Sequence, residues 1–191
     1  MSRVDEILSF WFGRPDEVDY GKRRQIWFKV DPVFDESLRS HFFTDYQLAA
    51  AGQLDEWKTS PHSCLALILL LDQFPRNLFR KQPQAFATDP QALNVAQYAV
   101  TQGFDQQLLT VQRWFVYLPF EHSEDLTHQR QAVVLFQQLS EDPESKDAIA
   151  SAIQHFEIIQ RFGRFPHRNS ILSRLTTPEE AEFLQQPGSS F

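Results

Sequence analysis

Four times along the chain, a short polar residue and a proline precede apolar residues at helical spacing. The pairs are Asp31-Pro32, Ser60-Pro61, Asp89-Pro90 and Thr177-Pro178. A short polar side chain caps the free N–H groups of a helix, and proline fits the first helical position because its missing N–H needs no partner there. Glu180, three residues after Thr177, completes a capping box. These repeated start signals predict an all-α protein.

The apolar spacing between these signals predicts antiparallel helix pairs in a single domain, residues 1–191, with a frayed tail over 187–191. Segment 61–74 is apolar almost all round and should be the buried central helix. We expect helices to end before Pro75 and Pro119, because an internal proline removes a hydrogen bond and clashes with the preceding turn. Ser123 is the expected cap of the helix that follows Pro119. The predicted helices cover about residues 4–11, 32–51, 61–74, 90–102, 114–118, 123–136, 148–162 and 178–185.

Composition narrows the classes of function. The net charge of -7 argues against a general nucleic-acid-binding surface. The one cysteine, Cys64, cannot form an intrachain disulfide, and its apolar neighbours indicate a buried thiol. The longest apolar run, Cys64 to Leu71, is far shorter than the ~20 residues of a membrane span, and the N-terminus does not resemble a signal peptide. We therefore predict a soluble cytoplasmic protein that binds neither nucleic acid nor membrane.

A short motif occurs twice in the sequence. Segments 71–77 and 161–169 both contain Phe-Pro followed by Arg-Asn, with His167 as an extra residue in the second. We expect each proline to turn the chain, so that the Arg and Asn side chains project from a fixed backbone. Two guanidinium groups brought together in this way suit a carboxylate or a phosphate. Alternatively, these arginines cap the C-termini of helices.

Further ionisable residues lie next to apolar helices. Glu121 and His122 are adjacent and could form a proton-transfer pair, or Glu121 could neutralise one of the arginines. His155 borders the apolar stripe of its helix, where a histidine is more often a core residue than a catalyst. Asp72 stands four residues before Arg76 at the end of a very apolar helix, which favours a buried ion pair.

Sequence motifs for metals and cofactors are scarce. Asp125-x-x-His128 is a lone near match to the Glu-x-x-His pattern of di-metal bundles. His122, His155 and His167 could still converge on a metal in the folded chain. The sequence contains no glycine-rich phosphate loop and no Gly-x-Ser-x-Gly elbow. We predict no cofactor and assign no metal ligand.

Several of these segments together resemble the bacterial "domain of unknown function 924" family. They are LLDQFPRN at 70–77, YLPFEHSED at 117–125, RFGRFPHRN at 161–169, ILSFWFG at 7–13 and TPEE at 177–180. The resemblance extends over nearly the whole chain. It implies stacked antiparallel helix pairs of tetratricopeptide-like type, and no established activity. Ser173 departs from the family pattern, which tends to have glycine at this position.

Three hypotheses of function remain open at this point. The first is a pocket for an anionic small molecule, used for binding or catalysis, and the second is a protein-interaction scaffold. In the third hypothesis the motifs form a purely structural salt-bridge network. In the first, the predicted catalytic residues are Glu121, His122 and His167, and the predicted ligand-binding residues are Asp72, Arg76, Asn77, His155, Arg164, Arg168 and Asn169.

Overall fold

The protein is all-helical, as the sequence predicts. The computed structural model describes residues 2–190, and no β-strand occurs among them. A π-helical turn, Leu69–Gln73, joins α3 to α4 without a break. None of the helices in the described chain is long and apolar enough to cross a membrane. The helices are α1 (Arg3–Phe12), α2 (Pro32–Ala50), α3 (Pro61–Ile68), α4 (Phe74–Leu78), α5 (Asp89–Thr101), α6 (Thr110–Glu121), α7 (Leu126–Gln137), α8 (Lys146–Phe162) and α9 (Pro178–Phe183).

Three of the predicted start signals cap their helices. The Asp31 carboxylate accepts two backbone hydrogen bonds in the first turn of α2. The Ser60 hydroxyl accepts one from the backbone of Ser63 at the start of α3. Thr177 and Glu180 form the reciprocal capping box of α9. Local sequence therefore determines where these three helices begin.

Two other predicted caps are wrong. Thr88 precedes α5, and the Asp89 carboxylate binds Arg76 instead of capping the helix. Asp125, not Ser123, caps α7 by accepting two backbone hydrogen bonds. A carboxylate beside a helix start also attracts any cation that the fold brings near, and the local sequence does not reveal that competition.

The helix ends predicted at Pro75 and Pro119 are also wrong. The chain continues from α3 into α4 through Pro75, and Pro119 lies inside α6. Proline deprives the Leu71 carbonyl of its helical donor, and the Thr88 hydroxyl donates a hydrogen bond to this carbonyl at 2.6 Å. The π-helical turn before Pro75 accommodates the change in backbone geometry. Both helices consequently carry polar residues deeper into the fold than predicted.

One large apolar core extends from α1 to α8. The residues from Cys64 to Leu71 are all buried, as predicted for the central helix. Helices α5 to α8 pack against their neighbours in sequence, and their short connections make them antiparallel. A smaller cluster, Ile158, Ile159 and Phe165, packs against Phe183 of α9. This cluster anchors the second Phe-Pro motif against α8.

The end of the chain contacts α8. Gln154 donates a hydrogen bond to the Gly188 carbonyl at 2.7 Å, and Ser189 is buried. Phe191, the last residue of the tail predicted to fray, lies outside the described residues, as does Met1.

Candidate functional site

The π-helical turn places the first charged group of the site in the core. Asp72 lies in this turn and is fully buried. Its Oδ1 atom is 2.7 Å from Nδ1 of His122 and 3.4 Å from Nη1 of Arg76, so the expected ion pair is present. Burial raises the pKa of Asp72, but the positive charge of Arg76 and the hydrogen bond with His122 outweigh burial and hold the pKa below its ordinary value. The ionised carboxylate therefore fixes the orientation of the His122 ring.

Asp89 connects the two Phe-Pro motifs. Its carboxylate accepts two hydrogen bonds from Arg76 of the first motif, at 2.8 and 3.1 Å. Its Oδ2 atom lies 3.5 Å from Nη1 of Arg168 of the second motif. Arg76 also donates to the backbone carbonyl of Asp72 at 2.6 Å. Burial lowers the pKa of Arg76, but the two carboxylates outweigh it, so that the pKa is raised overall. Arg76 is thus firmly held in the protein.

Arg168 has far fewer polar partners than Arg76. Its guanidinium carbon lies 4.7 Å from the ring centre of Phe86 and 4.5 Å from that of Phe165. The side chain is 8% exposed, and its ion pair with Asp89 is longer than a normal hydrogen bond. Its buried Nε atom has no hydrogen-bond partner among residues 2–190. Burial, together with repulsion from Arg76, lowers the pKa of Arg168 to about 10. A desolvated guanidinium with unused donors is unusual in a folded protein.

Glu121, the last residue of α6, is also buried. Its Oε1 atom accepts a hydrogen bond from the Ser151 hydroxyl at 2.8 Å and lies 3.0 Å from Nδ1 of His155. Its Oε2 atom is buried and has no hydrogen-bond partner in the described part of the chain. Burial raises the pKa of Glu121 to about 8, and the negative charge of Asp72 adds to the effect. Glu121 is therefore mainly protonated at neutral pH.

The three histidines of the site are neutral at neutral pH. Burial lowers the pKa of His155 to about 3. Burial and the charge of Arg168 lower the pKa of His167 to about 4. Burial and the charge of Arg76 lower the pKa of His122, against the effect of Asp72. The charges that remain in the cluster are balanced, and they belong to Asp72, Asp89, Arg76 and Arg168.

Three residues that we predict as ligand-binding have their contacts elsewhere. Asn77 donates a hydrogen bond to Asp35 of α2 at 2.8 Å. Arg164 forms two hydrogen bonds with the Glu180 carboxylate, at 2.6 and 2.8 Å, and Asn169 donates to the same carboxylate at 3.2 Å. These contacts tie helix ends together. One arginine from each motif, and neither asparagine, therefore belongs to the charged cluster.

Sequence reasoning missed Asp89, Phe86 and Ser151 as members of the site. Asp89 looks like a helix cap because a proline follows it. Ser151 stands one helical turn before His155, and this spacing is a signal that places the two side chains together. Phe86 carries no sequence signal, because its contact with Arg168 joins segments far apart in the chain.

A cavity of about 230 Å³ opens beside Glu121, between α6, α7 and α8. Trp114, Phe115 and Phe136 contribute to its apolar walls, and Glu121 and Ser151 contribute polar groups. Within residues 2–190 there is no group of three His, Cys, Asp or Glu side chains placed to hold a metal ion.

Comparison with known proteins agrees with the motif resemblance. The sequence profile of a family described as bacterial proteins of unknown function (DUF924) matches residues 7–188. A solved structure of the protein of unknown function ATU0120 from Agrobacterium tumefaciens is similar, at 42% sequence identity and a TM-score of 0.83. That similarity covers 95% of this chain and 96% of the Agrobacterium chain. No curated protein matches. The chain therefore belongs to the DUF924 family of bacterial proteins of unknown function.

Proposed function

We propose that this protein binds the anionic group of a small molecule at Arg168. The observation that carries the proposal is the desolvated Arg168 guanidinium, whose buried Nε has no hydrogen-bond partner among residues 2–190. Guanidinium presents a planar fork of donors that matches a carboxylate or a phosphate. The rings of Phe86 and Phe165 lie against the guanidinium and hold it in position.

Two neighbours of Arg168 can support a bound negative charge. Arg76 lies across Asp89 from it, so a bound anion lies within the field of two guanidinium groups. His122 is neutral and 13% exposed, and it can gain a proton when an anion arrives. We therefore expect anion binding to take up a proton and to strengthen as the pH falls below 7.

Proton transfer by His122 is a second candidate function. Asp72 holds Nδ1 of His122 at 2.7 Å, and Nε2 is then the ring atom left to accept a proton. In this proposal His122 is the base, while Glu121 and His167 are the further groups that exchange protons with the ligand. The variant His122→Asn should retain binding of the anion but lose any exchange of ligand protons with deuterated solvent, followed by NMR. Unchanged exchange in this variant would remove His122 from the proposal.

The first test is a thermal-shift screen with phosphate monoesters, nucleotides and dicarboxylates. A ligand at roughly 100 times its dissociation constant adds about 2.7 kcal/mol, or roughly 5–10 °C in a domain of this size. The screen is repeated on Arg168→Met, which keeps the side-chain volume and removes the fork. We expect the shift to vanish in this variant.

The matched control is Arg161→Met. Arg161 lies in the same segment, but its side chain is half exposed and pairs with Glu179. This variant removes the same charge from the segment and should keep the ligand-induced shift. A shift that survives Arg168→Met, or the absence of a shift with every anion, would contradict the anion site. Proteins that co-purify with the intact chain would then favour the scaffold hypothesis.

The cytoplasmic location stays a prediction.

A further inference from the structure

The cavity beside Glu121 differs in chemistry from the surroundings of Arg168. Its walls are mainly apolar and include Phe28, Trp114, Phe115, Leu118 and Phe136. The residues that line it in the described chain do not include Arg76 or Arg168. Cavities of this kind, apolar with a few placed polar groups, are the usual form of a small-molecule site.

The charged groups that line the cavity are mostly acidic. Arg23 is the one basic residue among them, and it pairs with Asp147 at 2.5 Å at the protein surface. Among the described residues that line the cavity, no basic side chain is left to pair with Glu144 or Glu121. Since Asp147 already neutralises Arg23, the electrostatic balance of the cavity favours a positively charged ligand over an anion.

Glu121 supplies an independent indication that the cavity receives a ligand. The residue lines the cavity, is 2% exposed, and has a buried Oε2 atom with no hydrogen-bond partner among residues 2–190. Buried carboxyl oxygens nearly always have a partner. A donor carried by a ligand would provide one once the Glu121 carboxyl group turns toward the cavity.

We propose that this cavity binds a small primary amine with an apolar body, whose ammonium group pairs with the Glu121 carboxylate. The aromatic walls bury the apolar body of the ligand. The Ser151 hydroxyl, which donates to Oε1 of Glu121, stabilises the ionised carboxylate in the complex. The amine site does not depend on anion binding at Arg168, because neither Arg168 nor Arg76 lines the cavity and the two ligands have opposite charge.

The proton balance of binding follows from the state of Glu121. The free protein holds a proton on Glu121, because burial raises its pKa to about 8. An incoming ammonium group keeps its own three protons, so Glu121 must release its proton to the solvent. The charged and titratable groups around Glu121 are Asp72, His122, His155 and, along the cavity, Arg23, Glu144 and Asp147. Amine affinity should therefore rise from pH 6 to pH 8, by up to about tenfold per pH unit.

The test is isothermal titration of the full chain with three probes that share one apolar body. They are phenethylamine, phenethyl alcohol and hydrocinnamate, which carry an ammonium, a hydroxyl and a carboxylate group. We expect phenethylamine to bind at least tenfold more tightly than the other two. Titrations in buffers of different ionisation enthalpy should show release of close to one proton. Equal binding of the alcohol or carboxylate, or no binding of the amine, would overturn the proposal.

Two variants locate the binding site. Glu121→Gln should weaken phenethylamine at least tenfold and abolish proton release, whereas Glu157→Gln, an exposed change on the same helix α8 as Ser151, should do neither. Ala148→Phe fills the cavity from its wall and leaves Glu121 intact, so it should also abolish binding. Ala148→Phe decides the question if Glu121→Gln fails to fold. Binding that survives Ala148→Phe would show that the amine sits elsewhere. Failure of these tests would not contradict anion binding, because the anion screen tests Arg168 and not Glu121.

Discussion

Arg76 and Arg168 occupy corresponding places in the repeated motif, yet the fold uses them differently. Arg76 donates three hydrogen bonds, two of them to Asp89 and one to a backbone carbonyl. Arg168 is more deeply buried than Arg76 and has one long contact with the same carboxylate. Burial without hydrogen bonds costs stability, and a residue that lowers stability is retained more readily when it has a function.

This difference predicts that replacement by methionine changes the free energy of unfolding differently at the two positions. Arg76→Met should reduce the free energy of unfolding by about 3–5 kcal/mol, because it leaves the buried Asp72 and the partly buried Asp89 without their main cation. Arg168→Met should change it by less than about 1 kcal/mol or increase it, because it removes a poorly satisfied buried charge. Urea unfolding of both variants measures the two values. A large loss in Arg168→Met would mean that its role is structural.

Ser173 gives a second prediction at the level of single residues. Its φ is 55°, in the left-handed region where a side chain is strained. The motif resemblance implies glycine at this position. Ser173→Gly should raise the free energy of unfolding by about 0.5–1 kcal/mol, because relief of strain exceeds the added freedom of the unfolded chain. Ser173→Ala keeps the strain and serves as the control. A less stable glycine variant would show that the Ser173 side chain has a stabilising contact.

At the level of elements, two prolines inside helices determine where the polar groups lie. Because α6 continues through Pro119, Glu121 stays in the helix and faces the core. Because α3 passes through a π-helical turn into α4, Asp72 is buried and Arg76 follows it one turn later. Widened turns of this type occur frequently at functional sites.

The Thr88 hydroxyl is the part of this arrangement that a single substitution can remove. It is buried and donates to the Leu71 carbonyl that Pro75 leaves without a helical donor. Thr88→Val keeps the shape of the side chain and removes the donor, and it should cost about 1–3 kcal/mol of unfolding free energy, measured in urea. Thr88→Ser keeps the hydroxyl and should cost less. Equal stability of the valine variant and the original protein would show that water or another donor serves this carbonyl.

For the whole molecule, Glu121 should make stability depend on pH above neutrality. Its pKa is about 8 in the folded protein and near 4.5 in the unfolded chain, so the folded state holds one more proton between these values. Stability contributed by this group is present in full below about pH 4.5 and is lost progressively as the pH rises to about 8. Between pH 7 and pH 8, the contribution of Glu121 to the unfolding free energy should fall with a slope of up to about 1.4 kcal/mol per pH unit.

Glu121→Gln should remove this decline, since glutamine does not titrate. The buried histidines act in the opposite direction, because an unfolded histidine with a pKa near 6.5 still binds protons at pH 7, but both proteins carry the same histidines and their contribution cancels in the comparison. Urea unfolding at pH 7, 7.5 and 8 compares the two proteins. Parallel pH curves for both would mean that Glu121 is ionised in the folded state at neutral pH.

The sequence by itself determined the helices and much of the core. Caps such as Asp31 and Ser60, the apolar stretch from Cys64 to Leu71, and the stripe of α8 are local signals, because capping and helical burial depend on residues within a few positions. The sequence also singled out Asp72, Arg76, Glu121, His122 and Arg168, since ionisable residues next to buried helices require partners.

Only the tertiary structure decided which partner each of these groups receives. Asp89 serves both arginines, Asn77 turns to Asp35, and Arg164 and Asn169 bind Glu180. Tertiary structure also decided that the helix continues through Pro75. The donor that serves the Leu71 carbonyl comes from a later segment of the chain. Such pairings join residues that are distant in sequence, and competition among several nearby charges selects them. Spacing along the chain therefore identifies the groups, whereas the packing of the helices fixes their partners and leaves Arg168 and Glu121 with unused hydrogen-bonding capacity.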